Sequence, residues 1–157
     1  MAVINPAEMK TALPPGERIL GLDLGSKTIG LAISDSGLAV SSPLETIRRT
    51  KFTADAAALI ALIAEREIGG LVLGLPKNMD GSEGPRAQST RQFATNLLEK
   101  VDLPIALWDE RLSTAEVERV LIDEADMTRK RRGEVIDKMA ASVILQGFLD
   151  FLRHNQI

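Results

Sequence analysis

"RILGLDLGSKTIGLAISD", residues 18–35, is the stretch whose reading decides the fold. Two short apolar runs, residues 18–25 and 28–35, flank Ser26-Lys27, which reads as a hairpin of two strands. Ser36-Gly37 marks the next turn, and residues 38–49 read as a third antiparallel strand, with Pro43 assigning it to an edge or a bulge. Asp23 stands inside the first run, near the end of a core strand, between Gly21 and Gly25. A carboxylate in that position, beside backbone that lets another group approach closely, asks for a chemical reason.

Working outward, residues 53–68 predict a helix. Thr53 is its candidate N-cap, and Ala56, Leu59, Ile60, Ile63, Ala64 and Ile68 recur at helical spacing. Residues 69–76 form a short apolar strand bounded by glycines and stopped by Pro76; a polar loop follows over 77–86 and a helical pattern over 87–100. Residues 103–111 read as another strand ending in charge. Ser113 and Glu116 have capping-box spacing and open a helix to about Ala125. Residues 126–134 read as a charged loop, and the last helix as running from about Glu134 to Arg153. Three antiparallel strands followed by strand–helix units predict an α/β fold, a mixed sheet with helices on both faces. Residues 1–16, closing on Pro14-Pro15-Gly16, read as a mobile leader, and residues 17–157 as a single domain.

Composition narrows the chemistry. With 157 residues and 45% hydrophobic content the chain can bury a core without staples. Cysteine is absent, which excludes disulfides, thiolate metal sites and a cysteine nucleophile, and the single histidine, His154, lies three residues from the end. Catalysis must therefore use carboxylates, lysine, arginine, hydroxyls or a bound ion. A net charge of −3 argues against a globally basic nucleic-acid binder but leaves room for a local basic patch. Neither a signal-peptide core nor an apolar run of bilayer length is present, so a soluble cytoplasmic protein without membrane contact is expected.

Functional groups in such sheets gather at the carboxyl ends of the parallel strands. Asp23 lies near one strand end and Asp109-Glu110 closes another. Asp137 sits one turn into the last helix, beside the apolar stripe of Ala140, Ala141, Ile144, Leu145 and Phe148, where an unpaired carboxylate is costly. Like charges resist sharing a site. Oxygen ligands that do so favour Mg2+ or Mn2+, and two such ions form the clamp for in-line phosphodiester hydrolysis. Plainer readings stand beside this one. Asp23 can be a turn former, Asp109-Glu110-Arg111 a surface ion-pair cluster, and Asp137 a partner of Arg132 or Lys138.

Four segments, "GLDLGSKTIGLAISD", "LVLGLPKNMDGSEG", "WDERLSTAEVE" and "IDKMAASVILQGFL", resemble in order and spacing the YqgF family, also called RuvX. Its members are described as Holliday junction resolvases or nucleases of pre-16S rRNA, and the resemblance covers roughly residues 18–153. It implies a ribonuclease H-like fold related to RuvC-type resolvases and a metal-dependent hydrolase of phosphodiester bonds, expected to process the 5′ end of pre-16S rRNA in ribosome biogenesis. By motif, Asp23 matches the first-strand acid that bridges two metal ions, and Asp137 the acid of the last helix. The second acid lies in "DER". Strand alternation from Ala106 through Trp108 favours Glu110, with Asp109 as the competing choice. RuvC-type enzymes carry a further acid three residues away in the last helix, and Glu134 has that spacing as an outer metal ligand.

Nucleic-acid contacts are expected from Lys27 in the hairpin turn, from Lys77 beside the groove wall of residues 74–76, and from Arg129, Lys130, Arg131 and Arg132. Arg48, Arg49 and Lys51 make a second basic cluster. Aromatic residues make up 3% of the chain, so backbone and shape recognition is favoured over base stacking. Branched DNA is the alternative substrate and a non-catalytic ribosome-assembly factor the alternative class. A sugar-kinase-type ATPase needs a much longer chain. A monomer or a homodimer fits equally.

Overall fold

The computed structural model describes residues 3–112 and 129–154. The predicted helix over 113–125 lies outside them, as do the side chains of residues 129–134. Six strands form one sheet: β1 (Val3–Ile4), β2 (Arg18–Leu24), β3 (Thr28–Ser34), β4 (Ser41–Arg48), β5 (Ile68–Leu75) and β6 (Ile105–Asp109), in the spatial order β1-β6-β5-β2-β3-β4. The hairpin reading holds. β2 and β3 pair antiparallel, with Asp23 opposite Gly30, and the turn closes where the Gly25 amide donates to the Thr28 carbonyl at 2.8 Å. β4 is both an edge and bulged: the register slips between Leu31 and Ala32, opposite Pro43. Beyond β2, pairing turns parallel, β5 on β2 and β6 on β5.

Strand alternation sorts the side chains into two unlike faces. One carries Leu20, Leu22, Leu24, Ile29, Leu31, Leu71 and Leu73. The helices α2 (Phe52–Glu65) and α3 (Pro85–Leu98) cover it with Ala56, Leu59, Leu62, Phe93 and Leu97. Each fully buried leucine contributes about 1.5–3 kcal/mol by leaving water. The other face is built of small residues, Gly21, Gly30, Ala32, Gly74 and Ala106 among them. Against it lies the long C-terminal helix α4 (Arg129–His154), which buries Ala140, Ala141, Ile144, Leu145 and Phe148. Helices therefore occupy both faces, as expected. α4 starts at Arg129 rather than near Glu134, so Arg129–Arg132 stand on its opening turn and not in a loop.

Short elements fall within residues 1–16, the stretch read as a mobile leader. Val3–Ile4 adds an edge strand parallel to β6 (Val3 beside Ile105). A short turn of helix, α1 (Met9–Ala12), then drops Met9 into the core against Gly70. The β6 edge has unpaired amides and carbonyls to satisfy, and two residues of backbone suffice to pair with it. Among the described residues no helix is long and apolar enough to cross a membrane.

Candidate active site

Asp23 is 3% exposed, near the end of β2 on the small-residue face. Its neighbours in the same row of the sheet are glycines on both sides. Gly30 of β3 pairs with it directly. Gly74 of β5 follows Leu73, the partner of Leu22, and so stands beside Asp23 across the parallel pair. Each glycine makes room for one of the other acids. A Cβ at Gly30 would overlap the backbone carbonyl of Asp137, so α4 reaches the sheet at this point only because no side chain intervenes. At Gly74 a Cβ would lie 2.7 Å from Glu110 Oε1 and 2.7 Å from Ile144 Cδ1. The Glu110 carboxylate thus rests over Gly74, on the side of the sheet that α4 covers.

Thr28, at the start of β3, donates its hydroxyl hydrogen bond to Asp137 Oδ2, a short contact across 109 residues of sequence. It fixes the helix carboxylate toward the hairpin. Asp23, Asp137, Thr28, Lys27 and Arg86 line one open cleft of about 490 Å³. Three of the predicted site residues, Asp23, Asp137 and Lys27, are thereby brought together. Glu110 stays one strand away over Gly74, and among the described residues no three acids form a closed ligand cluster.

Asp109 faces elsewhere. Glu110 opens a 3-10 turn (Glu110–Leu112) rather than continuing β6, and its carboxylate lies over Gly74 on the side that α4 covers. The Arg111 guanidinium grips Asp109 at 2.7 Å and the Arg111 amide donates to it at 3.0 Å. These bonds, the side-chain one foremost, hold the Asp109 carboxyl below its ordinary value against the opposing effect of burial. Arg111 also donates to the Met79 carbonyl at 3.3 Å, which ties Asp109 to the loop after β5. Lys77 lies with Asp109, Arg91 and Trp108 around a separate cavity of about 340 Å³, away from the acid cleft. The positions of Arg129, Lys130, Arg131, Arg132 and Glu134 side chains lie outside the described residues; Glu134 precedes Asp137 by one turn of α4.

Thr28, Gly30 and Arg86 were not singled out by sequence reasoning. The signal for Gly30 is present in "LGLDLG", "IGLAIS" and "LVLGLP", where large and small residues alternate. That pattern marks one face crowded with leucine and one stripped for close approach.

The donor set suits a hard divalent cation. It offers carboxylate and hydroxyl oxygens and no sulfur or imidazole, and the glycine floor on either side of Asp23 leaves space that side chains would fill. Clustered carboxylates at a cleft mouth that also carries Lys27 and Arg86 can bind a cation and a phosphodiester together.

Comparison with known proteins agrees in fold and sequence. A protein of Paramagnetospirillum magneticum named "Putative pre-16S rRNA nuclease" is 60% identical over 150 residues, 96% of each chain. One of the same name from Paracoccus denitrificans is 63% identical over 149 residues, covering 95% of this chain and 94% of the relative. The structure of Thermus thermophilus RuvC in complex with a Holliday junction substrate superimposes with a TM-score of 0.54, over 88% of this chain and 96% of that one. At 12% identity the likeness is one of fold. The family described as "RuvX: Holliday junction resolvase" matches residues 17–151, a span that includes Asp23, Glu110 and Asp137 as well as Gly30 and Gly74. The chain belongs to the RuvX family.

Proposed function

We propose that the protein is a divalent-metal-dependent nuclease that hydrolyses phosphodiester bonds in structured RNA, processing the 5′ end of pre-16S rRNA. The observation that carries this reading is the row Gly74–Asp23–Gly30, with the Glu110 carboxylate over one glycine and the Asp137 backbone over the other. The relatives' names supply the substrate.

Asp23, Glu110 and Asp137 are the residues that would hold Mg2+ or Mn2+, with Glu134 as an outer ligand. When bound, the ions neutralise the converging carboxylates, activate water and stabilise the departing oxygen. Asp23 supplies the central carboxylate from a strand buried along nearly its whole length. Thr28 orients Asp137 through its hydroxyl. Lys27 and Arg86 at the cleft mouth attract the phosphate backbone, and the sequence run Arg129–Arg132 adds four further positive charges for that backbone. Asp109, committed to Arg111, shapes the loop and does no chemistry.

The test is cleavage of a pre-16S 5′-flank RNA and of a four-way DNA junction by the same preparation, with Mg2+, with Mn2+ and in EDTA. RNA cleavage that EDTA abolishes is the expected result. Cleavage confined to the junction would move the substrate to branched DNA, the reading that the family description favours.

Two predictions follow from the placement of Glu110. Glu110→Gln is expected to lower cleavage about a hundredfold or more, while Asp109→Asn lowers it less than about tenfold; the reverse order would put the metal ligand on the other residue. Gly74→Ala puts a new Cβ 2.7 Å from Glu110 Oε1, 2.7 Å from the buried Ile144 Cδ1 and 3.0 Å from Glu110 Cγ, so urea unfolding should show a stability loss of about 1–3 kcal/mol, with the fold retained. Glu110 is pushed from its seat, and cleavage should drop about tenfold or more. Unchanged cleavage in Gly74→Ala would remove Glu110 from the site.

A further inference from the structure

A second, smaller cleft adjoins the acid cleft and shares Gly25, Ser26 and Arg86 with it. Its character is different. Arg49, Arg86 and the hydroxyl residues Ser26, Ser89 and Thr90 line it beside Phe93, and no carboxylate does among the described residues. Arg49 is held rigidly: it donates to the Gly25 carbonyl at 2.7 Å and its guanidinium carbon lies 5.7 Å from the centre of the Phe93 ring. One of its five side-chain N–H donors is thereby used, and the other four have no partner among the described residues. Arg86 is exposed, and its side chain has no hydrogen bond or ion pair among the described residues. It stands on the first turn of α3, whose dipole adds positive potential there. The cleft measures about 180 Å³, below the roughly 300 Å³ of pockets that enclose a whole small molecule. It suits a single charged group.

We infer that this cleft is a phosphate-binding subsite, and that Arg86 seats the backbone phosphate next to the one held at Asp23 and Asp137. The inference rests on the nuclease reading for the word "next", but binding tests the subsite by itself. Arg49, held on the Gly25 carbonyl, and Arg86, at the rim shared with the acid cleft, would together set which linkage falls over Asp23. Arg86, reaching both clefts, is a positioning residue at the junction of the two.

The test uses the full chain and a hairpin RNA with a single-stranded 5′ flank, with Ca2+ replacing Mg2+ for binding and Mg2+ for a parallel cleavage assay. A neutral methylphosphonate is placed at each flank linkage in turn, on a 2′-deoxy residue. The wild type should lose affinity about tenfold when one particular linkage is neutral, the scale of a charge-assisted hydrogen bond. Arg86→Ala should bind the unmodified RNA about tenfold more weakly, with a salt slope flatter by roughly 0.7, and should no longer sense that linkage. Arg86→Lys should recover part of the affinity by restoring the charge. Wild-type affinity and slope in Arg86→Ala, or undiminished sensitivity to every linkage the wild type senses, overturns the subsite. Failure of the wild type to cut RNA in Mg2+ counts against the nuclease reading alone.

Discussion

Asp23→Asn is expected to leave the fold intact and to lower cleavage by roughly a thousandfold, equivalent to about 4 kcal/mol of transition-state stabilisation. The side chain is 3% exposed and shares its cleft with Asp137. Asparagine keeps its shape while removing the charge that a cation needs and that Asp137 resists. The melting temperature should stay level or rise, because the substitution relieves like-charge repulsion in a buried site. Calorimetry and a cleavage time course on the same preparation check both halves. More than about a tenth of wild-type activity in the variant, or wild-type activity persisting in EDTA, would end the metal-dependent reading centred on this residue.

Gly30→Ala should produce the largest stability loss of any single methyl added to the sheet. The new carbon would overlap a backbone carbonyl of α4, which no rotamer change can relieve. A cost of about 3 kcal/mol, the upper part of the overpacking range, is expected, which in a chain of this size lowers the melting temperature by roughly 6–12 °C. Gly21→Ala is the comparison. There the nearest atom is the Leu145 Cβ at 2.9 Å, and a smaller adjustment of that side chain and its turn suffices. Cleavage by Gly30→Ala should be lost even well below its melting temperature, because α4 must lift Asp137 away from Asp23. A Gly30→Ala protein that melts within about 2 °C of wild type and cleaves normally would mean that the helix does not bear on the sheet at this row.

Much of this arrangement is legible in the sequence because it depends on local periodicity. The hairpin follows from two apolar runs flanking Ser26-Lys27, the parallel strands from the succession of strand and helix patterns, and the side on which Glu110 lies from alternation along β6, although Glu110 itself stands one residue past the strand. Asp137 follows from its place beside an apolar helical stripe. What escaped the sequence depends on distance. The large–small alternation marks the face on which Gly30 lies, but which part of the chain presses on it is fixed only when a helix more than a hundred residues later is laid across it. Thr28 reads as a strand residue until its hydroxyl finds Asp137. The burial of Met9 needs the gap over Gly70, and Val3–Ile4 needs the open edge of β6; neither leaves a mark in its own neighbourhood. Arg86 and Arg49 meet through the hairpin turn, 37 positions apart in number but on one rim in space.

The bond from Thr28 to Asp137 also sets a clock. A ribosome adds roughly 5–20 residues per second, so the 109 residues between the two ends take roughly 5–20 s to make. α2, β5 and α3 are all made within that interval, so in its last part the leucine-faced half of the sheet can condense on the two helices before Asp137 is added. Asp23 waits on its strand with one wall of the cleft still inside the translation machinery, and the nascent chain is a folded scaffold before it is a nuclease.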